Sequence, residues 1–102
     1  MGPIFAMQRA NGDWFALEDH QSFRVPVFSS NSEAMQARAF NVGMLVFKPV
    51  PVDARALRDL APVDGQRPTH FWLVENESLN MKRGVALQHS ELAGLVNGEK
   101  KD

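Results

Sequence analysis

The chain is 102 residues long, 44% hydrophobic and 23% charged, with no cysteine. That length fits one domain burying roughly two-thirds of the surface its unfolded form exposes, and the missing thiols remove disulfide frameworks, thiolate catalysis and cysteine-ligated zinc or iron–sulfur sites. Eleven Lys and Arg against twelve Asp and Glu, a formal net charge of −1 scattered along the chain, argue against a dedicated nucleic-acid binder, whose affinity comes from neutralised phosphates.

In chain order, Pro3 to Arg9 is mildly apolar (Ile4, Phe5, Ala6, Met7) and leads to Asn11-Gly12-Asp13, a turn signal because Asn and Gly tolerate positive φ, so a first strand is joined by a tight turn to a second. Trp14 to Leu17 and Phe23 to Phe28 are alternating segments flanking the polar run Glu18 to Ser22, which reads as a hairpin. Pro26 lacks an amide donor, so its strand is expected at an edge or with a bulge. Ser30 with Glu33 three residues on reads as a capping box for a helix over Glu33 to about Val42. Met35, Ala39 and Val42 form its expected apolar stripe, with Ala37 and Phe40 beside it, Gln36, Arg38 and Asn41 face outward, and Gly43 is the expected left-handed cap.

Met44 to Phe47 has the length and composition of a central strand, closed by Pro49 and Pro51. Asp53 caps a short helix to Leu60 with Ala54, Leu57, Leu60 and Ala61 inward, and Pro62 ends it. Residues 63–68 read as loop. Thr69 to Glu75 alternates His70-Trp72-Val74 against Phe71-Leu73-Glu75, residues 76–84 form a polar loop, and Val85 to Gln88 is a last strand. Ser90-Glu91 caps a helix over Leu92 to Val96. The expected fold is α+β: one compact domain over residues 1–96, a small mixed β-sheet in β-β-β-α-β-α-β-β-α order with two to three helices, then a disordered tail at 97–102. The helices are expected on one sheet face.

Catalytic patterns are sparse. His20, His70 and His89 match no zinc spacing, although His70 and His89 on adjacent strands could gather Glu75 or Glu91 into a metal or hydrolytic site. Ser90 beside His89 reads as a helix cap, since no strained Gly-x-Ser-x-Gly elbow exposes a nucleophile. There is no phosphate-cradling glycine loop, so nucleotide cofactors are not expected, and no cofactor or resident metal is assigned. The alternation leaves Trp72 and Phe28 opposite the faces expected to be buried, where exposed aromatics suit a protein interface; a sheet covered on both sides would bury them instead.

Several local signatures resemble the N-terminal domain of the SseB type found in bacterial proteins. They are the run Pro26-Val27-Phe28-Ser29-Ser30 before Glu33-Ala34, the strand Phe71-Trp72-Leu73-Val74 ending near Asn76, and Val85-Ala86-Leu87 followed by Ser90-Glu91-Leu92. Where that family shows Asn-Pro, Asn76 here is followed by Glu77. The resemblance implies a protein-interaction or regulatory role and no catalytic residue.

The expectation is therefore a bacterial, cytoplasmic, non-enzymatic module that binds another protein through Trp72, Asn76, Glu77, Lys82 and Arg83, with a homodimer allowed. A toxin-neutralising or ligand-sensing domain shares that composition. The alternative is a small metal-dependent or hydrolytic enzyme using His70, His89 and Glu75. No membrane partner is expected, because no run approaches 18 apolar residues, no secretory leader opens the chain, and Ala6 stands where a myristoylation start wants Ser or Thr.

Overall fold

A computed structural model describes residues 3–19, 22–61, 69–75 and 81–97. The elements are β1 (Phe5–Arg9), β2 (Leu17–Asp19), β3 (Ser22–Phe28), α1 (Asn31–Phe40), a 3-10 turn (Val42–Met44), β4 (Phe47–Pro51), α2 (Ala54–Asp59), β5 (Thr69–Val74), β6 (Gly84–Leu87) and α3 (His89–Asn97). Their order is the one read from the sequence. All six strands form one mixed sheet, β4-β1-β3-β5-β6, with β2 also paired to β3. The β3–β5 pair is parallel and the others are antiparallel.

Pro26 organises the middle of that sheet, and it does so from an interior strand. It is fully buried, and β3 lies between β5 and the β1/β2 pair, so the expected edge placement is corrected. β1 pairs with β3 only at Phe5↔Phe28 and Ala6↔Val27, while β2 takes the other half of the same edge at Leu17↔Arg24 through Asp19↔Ser22. Continuing the β1 ladder would set Met7 opposite Pro26, which has no N–H to give. The Met7 carbonyl accepts from Phe15 N–H at 2.8 Å instead. β1 and β3 thus part at the proline, and the segment from Trp14 to Asp19 fills the fork between them.

The chain enters that fork through the expected turn. Gly12 has φ 95° and donates to the Arg9 carbonyl at 2.9 Å, while Arg9 N–H donates to the Asp13 carbonyl at 2.9 Å, a three-residue hairpin whose left-handed position suits glycine. The β2–β3 hairpin is also present; its tip, His20-Gln21, lies outside the described residues.

Helices cover both faces of the sheet, which corrects the one-face expectation. Val25 and Val27 of β3, Ala6 of β1 and Phe71 of β5 pack beneath α2 (Ala56, Leu57) and α3 (Leu92). Met7, Phe28 and Val74, one residue out of phase, pack with Ala34 and Ala37 of α1 and with Met44. Strand alternation puts two apolar sets on opposite faces, so a central strand such as β3 must be apolar on both. Phe28 is accordingly buried beneath α1.

The segment 40–51 departs most from its reading. α1 ends at Asn41, whose N–H and Nδ2 both donate to the Ala37 carbonyl at 3.0 and 2.7 Å, so no left-handed glycine closes it and Gly43 lies in the 3-10 turn. The buried face of α1 is Ala34 and Ala37, whereas Met35, Ala39, Phe40 and Val42 are exposed. Arg38 turns inward instead. Its Nε donates to the Phe47 carbonyl at 2.7 Å and an Nη to the Leu45 carbonyl at 2.6 Å. Residues 44–46 of the apolar run are therefore turn, and the strand is β4, an edge strand that starts at Phe47 and contains both prolines. Val52 N–H donates to the Ile4 carbonyl at 2.7 Å, so by alternation residues 48 and 50 also face β1 while Pro49 and Pro51 turn their missing donors outward.

The N-terminal caps of α1 and α2 follow the sequence in kind. Ser30 Oγ accepts from Glu33 N–H at 3.1 Å and Asp53 Oδ1 accepts from Ala56 N–H at 2.9 Å. α3 starts earlier than expected: Glu91 Oε1 accepts from Gln88 N–H at 2.8 Å, which makes Gln88 the capping position in place of Ser90. The loop at 62–68 and the tail from 98 lie outside the described residues, and Asn97, read as the first tail residue, ends α3.

Candidate functional site

Cross-strand register places one row of side chains where the sequence analysis looked for a site. On the face that carries α1, Leu17 of β2 stands beside Arg24 of β3, which stands beside His70 of β5; in the next row Pro26 stands beside Trp72, and Trp72 beside Ala86 of β6. α1 packs on β4, β1 and β3. On β5 the helix reaches Val74, which shares a buried cluster with Ala34 and Ala37.

Trp72 is half-buried and fastened on two sides. Its Nε1 donates to the Met81 carbonyl at 3.0 Å, and its ring lies against the Gly84 backbone, where an added Cβ would come within 2.7 Å of Nε1. Met81 holds a left-handed φ of 61° with its side chain buried, so the indole pins a strained turn into the sheet edge. Above the ring lies the Arg24 guanidinium, 4.8 Å from the centroid. Arg24 Nε is buried and has no hydrogen-bond partner among the described residues.

Lys82 and Arg83 are exposed on the same β5–β6 connection. Arg83 Nε lies 3.3 Å from Glu75 Oε1, and the Arg83 carbonyl accepts from Glu75 N–H at 2.9 Å, closing the base of that connection. Trp72, Lys82 and Arg83 are thus neighbours through this turn; Asn76 and Glu77 lie outside the described residues.

The three groups of the enzyme alternative are not brought together. His70 shares the α1-bearing face with Trp72, whereas His89 lies on the other, its Nε2 2.8 Å from the Leu57 carbonyl and its ring 6.1 Å from that of Phe71. Glu75 is paired with Arg83. Among the described residues no three His, Asp or Glu side chains are grouped to hold a metal ion.

Two further surfaces escaped the sequence reading. At the corner between α1 and β4, Phe40, Val42, Leu45 and Val46 are 57%, 79%, 48% and 65% exposed on a backbone held by Arg38 and Asn41. Their apolar character suggested burial, and no sequence signal distinguishes an exposed apolar turn from a buried strand of equal length. At the fork, Trp14, Phe15, Phe23 and Phe47 line a cleft of about 720 Å³ together with Arg9 and Asp59. The Phe15 and Phe47 rings meet edge to face, 5.2 Å apart, and Arg9 lies 5.6 Å over Phe47.

No family model, curated protein or solved structure matches this chain. Among the described residues no helix is long and apolar enough to cross a membrane.

Proposed function

We propose that the protein is a non-enzymatic interaction module that binds another protein, with the apolar corner Phe40, Val42, Leu45 and Val46 as its main contact. The exposure of those four neighbouring side chains carries the reading. A monomeric surface scatters such residues singly, and a group of them on one turn marks a contact site. The Arg38 and Asn41 hydrogen bonds set the turn before a partner arrives, which lowers the ordering cost of binding. The resemblance to SseB-type domains points to the same class of role, and a cytoplasmic home belongs to this reading.

The test is affinity capture from a bacterial lysate on the immobilised chain, compared with Val42→Asp, Val46→Asp. Both positions are exposed, so the variant should keep the parent's far-ultraviolet dichroism and melting temperature. Retention by the parent and loss by the folded variant supports the corner, and equal retention overturns it. Lys82→Glu tests the neighbouring polar turn in the same assay; Trp72 is left intact because its ring is part of the packing.

The fork supports a second reading, a ligand-sensing domain. Its cleft has the volume and aromatic walls of small-molecule sites. A small aromatic compound that changes indole fluorescence in the parent and not in Trp14→Phe would favour it.

A further inference from the structure

Arg24 is the unexplained residue of the sheet. A methionine or leucine would cover the Trp72 ring equally well, yet this chain places a permanent cation there with its Nε buried and unmet among the described residues. That Nε is closed to a partner, so contact with one falls to the Nη groups of the guanidinium. Its cross-strand neighbour His70, half-buried on the same face, carries a ring N–H donor in either neutral tautomer. Register sets Arg24 and His70 side by side on this face, so a guanidinium and an imidazole offer neighbouring donors there.

This pair is continuous with the apolar corner. A Cβ built on Gly43 would lie 4.0 Å from Phe15 Cε1. Phe15 and Leu17, two apart, both pack toward the α1-bearing face, and Leu17 stands beside Arg24. An apolar path thus leads from the corner to the donors.

Resting on the interaction-module reading, we propose that Arg24 and His70 bind the carboxylate of an acidic side chain, carried by a partner segment whose flanking apolar residues lie on the corner. Two adjacent donors and one permanent charge match a monoanionic carboxylate, which a guanidinium grips with two parallel hydrogen bonds, better than a phosphate dianion.

The probes are the amidated, acetylated peptide Leu-Leu-Glu-Leu-Leu, its counterpart with Gln in place of Glu, and inorganic phosphate. Each is titrated into the labelled full chain while the Arg24 Nε–H and His70 ring resonances are followed. The Glu peptide should shift both resonances and bind about tenfold more tightly than the Gln peptide, the worth of one charge-assisted hydrogen bond. Arg24→Met should abolish that preference, and Arg24→Lys, which keeps the charge and loses the fork, should recover it only in part. Equal affinity for the two peptides, a preference that survives Arg24→Met, saturation by phosphate ahead of the Glu peptide, or no shift at millimolar peptide would each overturn the proposal. Failure of the corner reading is distinct: Val42→Asp, Val46→Asp would then bind the Glu peptide as the parent does, with its preference intact.

Discussion

At Gly84 the backbone leaves no room for a side chain. A Cβ there would lie 2.5 Å from the Leu73 carbonyl oxygen and 2.9 Å from Trp72 Cε2, so Gly84→Ala must displace either the β5 backbone or the indole. The expected cost is about 1–3 kcal/mol, the range for overpacking, read as a lower urea midpoint at unchanged slope. Arg24 should behave in the opposite sense. Arg24→Met removes a buried unmet donor, a relief of about 1–3 kcal/mol, and loses a cation–π contact worth about 0.5–1 kcal/mol. Unfolding free energy equal to the parent's or higher is expected. A loss beyond about 1 kcal/mol would mean that the guanidinium serves packing, since a difference of that size exceeds ordinary surface effects. The Trp72 and Gly84 relationship was invisible in the sequence, because residues twelve apart become neighbours only through the register of β5 with β6.

Among the elements, β4 and the corner before it show how much one arginine and two prolines can decide. Arg38→Ala removes two charge-assisted hydrogen bonds to the Leu45 and Phe47 carbonyls. Each is worth about 1.5–3 kcal/mol when sheltered; the bond to Phe47 is part-buried and the one to Leu45 is exposed, so a total loss of about 2 kcal/mol is expected. Faster amide exchange over residues 42–46 should accompany it. The prolines act against other molecules. Pro49→Thr with Pro51→Thr restores two outward N–H groups on an edge strand, which should leave stability within about 0.5 kcal/mol and promote self-association, seen by sedimentation as a concentration-dependent mass. A monomer at every concentration would show that the edge is protected by other means.

For the molecule as a whole, the sheet is stabilised from its centre outward. Ile4, Met7, Val27, Phe28 and Phe71 are essentially inaccessible, and each such side chain contributes about 1.5–3 kcal/mol on burial. β3 joins these two cores because its alternate residues serve opposite faces. Its pairing with β5 spans α1, β4 and α2, a long-range contact that forms only when the crossover is in place. The slowest-exchanging amides should therefore lie in β3 and β5, with β2 and β6 opening first; protection in β6 equal to that in β3 would show a more uniform cooperative unit.

Much of the local chemistry was legible, the expected Gly43 and Ser90 caps excepted. The Gly12 turn, the Ser30 and Asp53 caps, the alternation of β3 and β5 and the order of elements each depend on residues a few positions apart, whose backbone preferences act before any tertiary contact forms. Long-range placement was not legible. Whether Pro26 lies at an edge or at a fork, whether Phe40 and Val42 face the core or the solvent, and whether His70 meets His89 depend on which strand pairs with which and on which face receives each helix. The same apolar run suits a buried strand and an exposed turn, because hydrophobicity states a preference for contact without naming the partner that supplies it.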